Sequence, residues 1–279
     1  MKNFNSTEIA LPMEISKLIT LLEDSSRLKK PKHSFRQCQI DAYFNIKANL
    51  EKYRSLGANG QREFVVQMAT GTGKSGLICL LATTLNHFNN VLVLTHSVGI
   101  RDQLRDNLNC KENTSFWAKL NLQPNPYELI DVSKAGFPGS LVKQKRTVVL
   151  STVQSLLELS QAKRNAGYDL VIFDEGHRKG ATVWEKIVNS VAAPNVLITA
   201  TPFRSEKILH PDFKYTFADA LKSEDKILKR VKIVQKSESL EEDILLQLRE
   251  LRATYDLSKN KPRAMIRCNS FLDTKKNAK

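Results

Sequence analysis

The stretch Phe64-Val65-Val66-Gln67-Met68-Ala69-Thr70-Gly71-Thr72-Gly73-Lys74-Ser75-Gly76-Leu77-Ile78-Cys79-Leu80 decides the fold of this chain. A short apolar run gives way to Gly71, Gly73, Lys74 and Ser75, and then to an apolar helix. Strand, phosphate-binding loop and helix is the context in which such a loop carries meaning. Its glycines let backbone N–H groups turn toward phosphate oxygens with no Cβ in the way. Lys74 is set to reach the β- and γ-phosphates of a nucleotide, and the Ser75 hydroxyl to ligate Mg²⁺. The helix presents its positive N-terminus to the same anions. In the pattern G-x-x-x-x-G-K-[ST] the first position is Met68, not glycine, and a plain glycine-rich turn is the alternative reading.

Working outward, short apolar runs alternate with helical stretches. The runs are Phe64 to Met68, Val91 to Thr95, Thr147 to Ser151, Leu170 to Asp174, Val196 to Thr199 and Val231 to Val234. Uninterrupted runs suit strands buried on both faces, and their alternation with helices predicts an α/β fold with a parallel sheet. A helix is expected from about Arg36 to Tyr53, stopped by Gly57-Ala58-Asn59-Gly60. Gln123 to Tyr127 and Ala135 to Ser140 read as loops, with Lys143, Lys145 and Arg146 beyond the second. Near the start, Ile15, Leu18, Ile19 and Leu22 have helical spacing, and Lys29-Lys30-Pro31-Lys32 breaks the chain. Near the end, Leu240, Ile244, Leu248 and Leu251 repeat the helical pattern, and Ala264 to Cys268 reads as one more strand. The expected organisation is a helical extension over 1–30, a nucleotide-binding domain over 31–235, a linker helix over 236–262 and the first strand of an incomplete second domain over 263–279.

Composition narrows the function classes. The 279 residues are 41% hydrophobic and 26% charged, an ordinary globular balance that excludes collagen-like, disordered and membrane-spanning chains. No apolar run approaches the length of a spanning helix. The first thirty residues lack an apolar core leading to a cleavage site, which argues against export. Lysine and arginine exceed aspartate and glutamate by 43 − 29 = +14. Such a surface repels itself unless it meets polyanions, so nucleic acid is the first expected partner class. A membrane surface comes second, and no basic amphipathic helix with bulky aromatics supports it. Cys38, Cys79, Cys110 and Cys268 form no C-x-x-C pair, which argues against zinc fingers and disulfide frameworks and fits a reducing, cytoplasmic setting.

Three further segments carry chemistry. In Val171-Ile172-Phe173-Asp174-Glu175-Gly176-His177 an apolar run delivers two carboxylates to its C-terminal end, where open α/β sheets bind ligands. Asp174 suits the Mg²⁺ shell and Glu175 the attacking water; two surface acids closing a strand is the alternative. In Ile198-Thr199-Ala200-Thr201-Pro202, residues two apart in extended chain point the same way, so Thr199 and Thr201 are expected on one side. They are placed to relay a change at the γ-phosphate, or simply finish a β-rich segment. Phe35-Arg36-Gln37-Cys38-Gln39 opens a helix, and the Gln39 amide has the donor and acceptor to read an adenine; a solvated helix start fits as well.

Taken in order, Arg36/Gln39, A-T-G-T-G-K-S, D-E-G-H and T-A-T-P resemble the motifs of superfamily 2 helicases and translocases of the DEAD/DEAH-like type. The wording A-T-G-T-G-K-S and A-T-P-F-R is most similar to type I and type III restriction motor subunits, from about residue 33 to 204, with a fainter match over 264–270. The family's loop commonly opens on alanine, as at Ala69. The resemblance implies a RecA-like first motor domain that uses ATP and Mg²⁺ and grips nucleic acid, DNA in preference to RNA. Carried over by position, Gln39 contacts adenine with Arg36 beside it, and Thr70, Gly71, Thr72, Gly73, Lys74 and Ser75 wrap the phosphates. Asp174 with Ser75 serves the metal, Glu175 serves water, and His177 with Thr199 and Thr201 couples the two sites. Gly176 stands where the family has alanine or cysteine. Thr95 and Ser97, then Arg101 and Gln103, and Ser151 with Thr152, match its nucleic-acid contacts, whose hydroxyls and helix N-termini suit phosphate oxygens. Ser151 with Gln154 also fits a helix capping box.

Pro211-Asp212 followed by Glu224-Asp225-Lys226 has the look of a nuclease signature, but spaced acids of this kind arise by chance. The family implies a second motor domain whose arginines cross the cleft, and no such motif follows Cys268. A module that holds ATP and nucleic acid with little turnover is therefore the rival to a working motor. A phosphate-loop kinase is a further rival, opposed by D-E-G-H and T-A-T-P.

Overall fold

The computed structural model describes residues 35–57, 60–120, 122, 124–139, 141, 145–160, 167–175, 187, 191, 193–204, 207–208, 210–223, 245–246 and 249. The chain divides into two units, Met1–Lys229 and Arg230–Lys279, and nearly all described residues belong to the first. The expected elements before residue 35 and, but for 245–246 and 249, after residue 223 lie outside the described residues, as do Gly176, His177 and Lys143.

Helix α1 (Gln37–Leu56) starts from the extended backbone of Arg36 and buries Cys38, Ala42, Tyr43, Ile46 and Leu50, which recur on one face. It stops at Gly57, whose φ of +60° suits a residue without Cβ. The strands are β1 (Glu63–Met68), β2 (Asn90–Thr95), β3 (Glu128–Asp131), β4 (Thr147–Thr152), β5 (Leu170–Asp174), β6 (Asn195–Thr199), β7 (Phe203–Arg204), β8 (Lys207–Ile208) and β9 (Phe213–Tyr215). Seven of them make one sheet in the order β3-β4-β2-β5-β6-β1-β9, and β7 and β8 make a separate antiparallel pair. Every pairing within the large sheet is parallel, which bears out the α/β expectation.

The connecting helices are α2 (Lys74–Thr84), α3 (Val98–Leu108), α4 (Phe116–Leu120), α5 (Val132–Ala135), α6 (Val153–Leu157) and α7 (Phe217–Lys222). Both sheet faces are covered. Val91, Val93, Leu150, Ile172 and Ile198 pack with α1 and α2, while Leu92, Leu94, Val149, Phe173 and Leu197 pack on the opposite face with Val153 and Leu156. Removing each such side chain from water contributes roughly 1.5–3 kcal/mol. From Gly76 onward all of α2 is buried, which makes it the central helix beneath the sheet.

Four strands are not among the expected runs: the short pair β7 and β8, and β3 and β9, which are the two edges of the large sheet. The sequence reading assigns no element to Glu128–Asp131, which forms β3, and β9 is three residues long. Asp212 has a structural use: its Oδ2 accepts the Val65 N–H at 2.7 Å and its Oδ1 accepts from Gln61 Nε2 at 3.1 Å, fastening β9 to β1. Among the described residues no helix is long and apolar enough to cross a membrane.

Candidate nucleotide site and its neighbouring edge

Because all seven strands run the same way, their carboxyl ends share one edge, the usual ligand edge of such sheets. The loop after β1 and the acids ending β5 flank the end of β6, since β6 lies between those two strands. The loop follows buried Met68 and Ala69 and turns through positive φ at Gly71 (+83°) and Gly73 (+96°). The Thr72 hydroxyl donates to the Ala69 carbonyl at 2.6 Å and closes the turn from inside. Thr70 and Gly71 are exposed, while Lys74 and Ser75 occupy the first turn of α2, half-buried.

Helix α1 grips the loop from behind. Arg36 Nη1 donates to the Gly71 carbonyl, the Cys38 thiol meets the Thr72 carbonyl at 3.7 Å, and Gln39 Nε2 donates to the Gly73 carbonyl at 2.7 Å. Gln39 also accepts the Arg36 N–H at 2.9 Å. Cys38 was not foreseen as part of this grip, because a lone thiol carries no motif.

Across the edge, Lys74 Nζ lies 3.0 Å from Glu175 Oε1. Two residues far apart in sequence thus meet where a phosphate chain would pass. Glu175 has a φ of +54°, an uncommon conformation for a residue with a Cβ, and its N–H still donates to the Ile198 carbonyl at 3.0 Å. The chain therefore turns sharply out of the sheet at the carboxylate. Asp174 is buried. Burial, then the neighbouring Glu175 charge, pushes its carboxyl up to about 6 from 3.8, against the opposing pull of Lys74.

The Ser75 hydroxyl and the Asp174 carboxylate are hard oxygen donors, the chemistry Mg²⁺ selects, and a buried carboxylate with a raised pKa is relieved by a cation. Among the described residues no group of three His, Cys, Asp or Glu could cage a metal.

Thr199 and Thr201 depart from the common-side expectation. The strand ends at Thr199, which is buried, and its hydroxyl accepts the Thr201 N–H at 3.1 Å while Thr201 itself is exposed. The extended strand stops two residues short of Thr201.

On the other side of β5, Thr95 and Thr152 are register partners at the ends of β2 and β4. Thr95 and Ser151 are buried, with their hydroxyls donating to the carbonyls of Ser97 and Thr152. Ser97 caps α3 by accepting the Ile100 N–H at 3.4 Å. The cap of α6 is Thr152, which accepts the Ser155 N–H at 3.2 Å, and not Ser151 with Gln154, the alternative reading of that segment. Arg101 turns inward. It is 9% exposed, 3.0 Å from Asp102 Oδ1 and 3.9 Å from Asp131 Oδ1. Gln103 is exposed, as are Val98 and Gly99 at the start of α3.

The sequence pattern of the family described as "Type III restriction enzyme, res subunit" matches residues 32–204. No curated protein matches the chain. Among solved structures the chain is similar to a nuclease-deletion mutant of the Type ISP restriction-modification enzyme LlaGI in complex with a DNA substrate mimic, at 21% identity and a TM-score of 0.49 over 80% of this chain and 23% of that one. It is also similar to the ATP-dependent Type ISP restriction-modification enzyme LlaBIII bound to DNA, at 22% identity and 0.44 over 70% and 16%. A third is the Sulfolobus solfataricus SWI2/SNF2 ATPase core in complex with dsDNA, at 14% and 0.45 over 72% and 40%. The chain spans less than two thirds of the length of each.

Proposed function

Since this chain belongs to the family of type III restriction enzyme res subunits, we propose that it is an ATP-dependent nucleic-acid motor domain, binding and hydrolysing ATP with Mg²⁺ and acting on DNA in preference to RNA. The observation that carries the reading is the 3.0 Å approach of Lys74 Nζ to Glu175 Oε1 at the carboxyl edge of the sheet. Lys74 meets negative charge on the transferred phosphoryl group, and Glu175 orients the attacking water and takes its proton. Asp174 and Ser75 hold Mg²⁺, which when bound neutralises phosphate charge. Positioning and charge complementarity suffice for this chemistry, because phosphoryl transfer asks little covalent work of the protein.

The nucleic-acid face is the adjoining edge at the ends of β2 and β4. Ser97, Val98 and Gly99 start α3 there, Thr152 starts α6, and Gln103 is exposed one turn along α3. Thr95, Ser151 and Arg101 support these loops from inside. Thr199, the buried end of β6, lies between the phosphate loop and the acids of β5 and, with His177 and Thr201, couples the nucleotide site to the nucleic-acid face. A downstream second motor domain or another subunit completes the cleft.

ATP hydrolysis measured with and without DNA and RNA separates a motor from a module that only holds its ligands. Lys74→Ala should weaken ATP binding by about 10- to 100-fold, the worth of one charge-assisted hydrogen bond, by calorimetry. Affinity equal to the parent's sinks the phosphate-loop assignment. With a net charge of +14, DNA binding should fall at least about tenfold between 50 and 200 mM salt through counterion release. Gln103→Ala should lower it further without moving ATP affinity, whereas salt-insensitive binding removes nucleic acid from the reading.

A further inference from the structure

Arg101 and Arg105 lie one turn apart on α3, just past the Ser97 cap, at the edge proposed above for nucleic acid. Both guanidinium groups are turned onto carboxylates. Arg101 donates to Asp102 Oδ1 from Nε at 3.3 Å and from Nη2 at 3.0 Å. Arg105 Nη1 donates to the same oxygen at 3.2 Å, and its Nε and Nη2 donate to Asp106 Oδ1 at 3.1 and 3.0 Å.

A third carboxylate, Asp131, comes from another element, the carboxyl end of edge strand β3. Its Oδ2 lies 3.5 Å from Arg105 Nη1, and its Oδ1 lies 3.9 Å from Arg101 Nε. Oδ1 also accepts the Ser133 N–H at 3.0 Å and the Ser133 hydroxyl at 2.7 Å, which fixes the carboxylate in place. Burial pushes this carboxyl up, but the Ser133 bonds and then Arg101 outweigh it and hold it below its ordinary value. Its side chain is 8% exposed against 40% for Asp102, so salt screens it less. Asp131 is therefore the anchor that ties both arginines back to the sheet.

A cation on a nucleic-acid face ordinarily serves a phosphate oxygen. Here two arginines meet three aspartates, a local excess of negative charge on a chain of net charge +14. Capping of α5 does not explain the charge on Asp131, because an asparagine caps a helix through the same oxygen. What the charge adds is its hold on the arginines.

We infer that Asp131 restrains a second phosphate site on the nucleic-acid face, formed by Arg101 and Arg105, so that a backbone phosphate competes with a carboxylate for both guanidinium groups. The inference rests on the nucleic-acid reading above. It makes the grip on the backbone weaker, and less steep in salt, than the two arginines would otherwise give.

The test is the affinity of the whole chain for a short DNA duplex, by fluorescence anisotropy from about 50 to about 200 mM salt. Asp131→Asn keeps the cap and removes the charge. It should tighten binding about three- to tenfold at low salt, the worth of a charge-assisted contact discounted for exposure. The slope of log affinity against log salt should steepen by about 0.9 for each phosphate gained, with ATP affinity at the parent's value. Arg101→Ala should then cost at least about threefold more in the Asp131→Asn background than in the parent, a coupling that additive charges do not produce. Asp102→Asn, at a surface position where folding is not at stake, loosens the same guanidinium groups and should also tighten binding. Weaker or unchanged binding in both aspartate variants, an unchanged salt slope, or equal losses from Arg101→Ala in the two backgrounds each overturn the restraint. A parent that binds no DNA at low salt overturns the nucleic-acid reading itself.

Discussion

Glu175→Gln should lower ATP turnover by about 10²- to 10⁴-fold, the usual contribution of a positioned general base, while ATP binds as well as before or somewhat better. The first half follows from replacing the carboxylate that takes the proton of the attacking water with an amide that cannot. The second follows from the ion pair: Lys74 lies 3.0 Å from Glu175 Oε1, with side chains 11% and 17% exposed. A phosphate chain must draw the lysine away from this partner, and the amide holds it less firmly. Single-turnover hydrolysis and calorimetry measure the two halves. Turnover within tenfold of the parent, or a loss of affinity matching the loss of rate, would falsify the assignment of Glu175.

Asp174→Asn should abolish Mg²⁺-dependent turnover and at the same time raise the melting temperature measured in chelator. Burial, then Glu175, raises this carboxyl from 3.8 to about 6, so the folded protein binds the proton more tightly than the unfolded chain. The penalty of ionising it is absent below pH 3.8, grows as pH rises to about 6, and is fully present above that. At neutral pH the cost is on the order of 2–3 kcal/mol, and the neutral asparagine removes it. A variant less stable than the parent in chelator at pH 7, or one whose pH–stability curve between 4 and 6 matches the parent's, removes this account of Asp174.

The interior of the fold was legible in the sequence because β2, β4, β5 and β6 are buried on both faces, leaving runs such as Val91-Leu92-Val93-Leu94 with no polar interruption. The edges were not. A strand with one neighbour is half solvated, so Glu128-Leu129-Ile130-Asp131 offers only two apolar residues, and Phe213-Lys214-Tyr215 is too short to stand out. At the site, Lys74 and Glu175 were each named from their own motif, and the fold brings them together. What local pattern could not show was long-range pairing: Asp131, at the end of a strand the sequence reading leaves unassigned, draws Arg101 inward. Nor could it resolve single-residue register, which decides that Thr152 caps α6 and that Thr201 lies past the end of β6.

The interposition of β6 between β1 and β5 amounts to a gauge. Neighbouring strands sit about 4.8 Å apart because hydrogen bonds hold them there, so the phosphate loop and the Asp174 carboxylate start from backbones separated by about two such steps. That width belongs to the main chain, and no exchange of side chains along β6 can widen or narrow it. Selection acting on this site is therefore free to vary what lines the slot, but its calibre changes only if the order of strands changes.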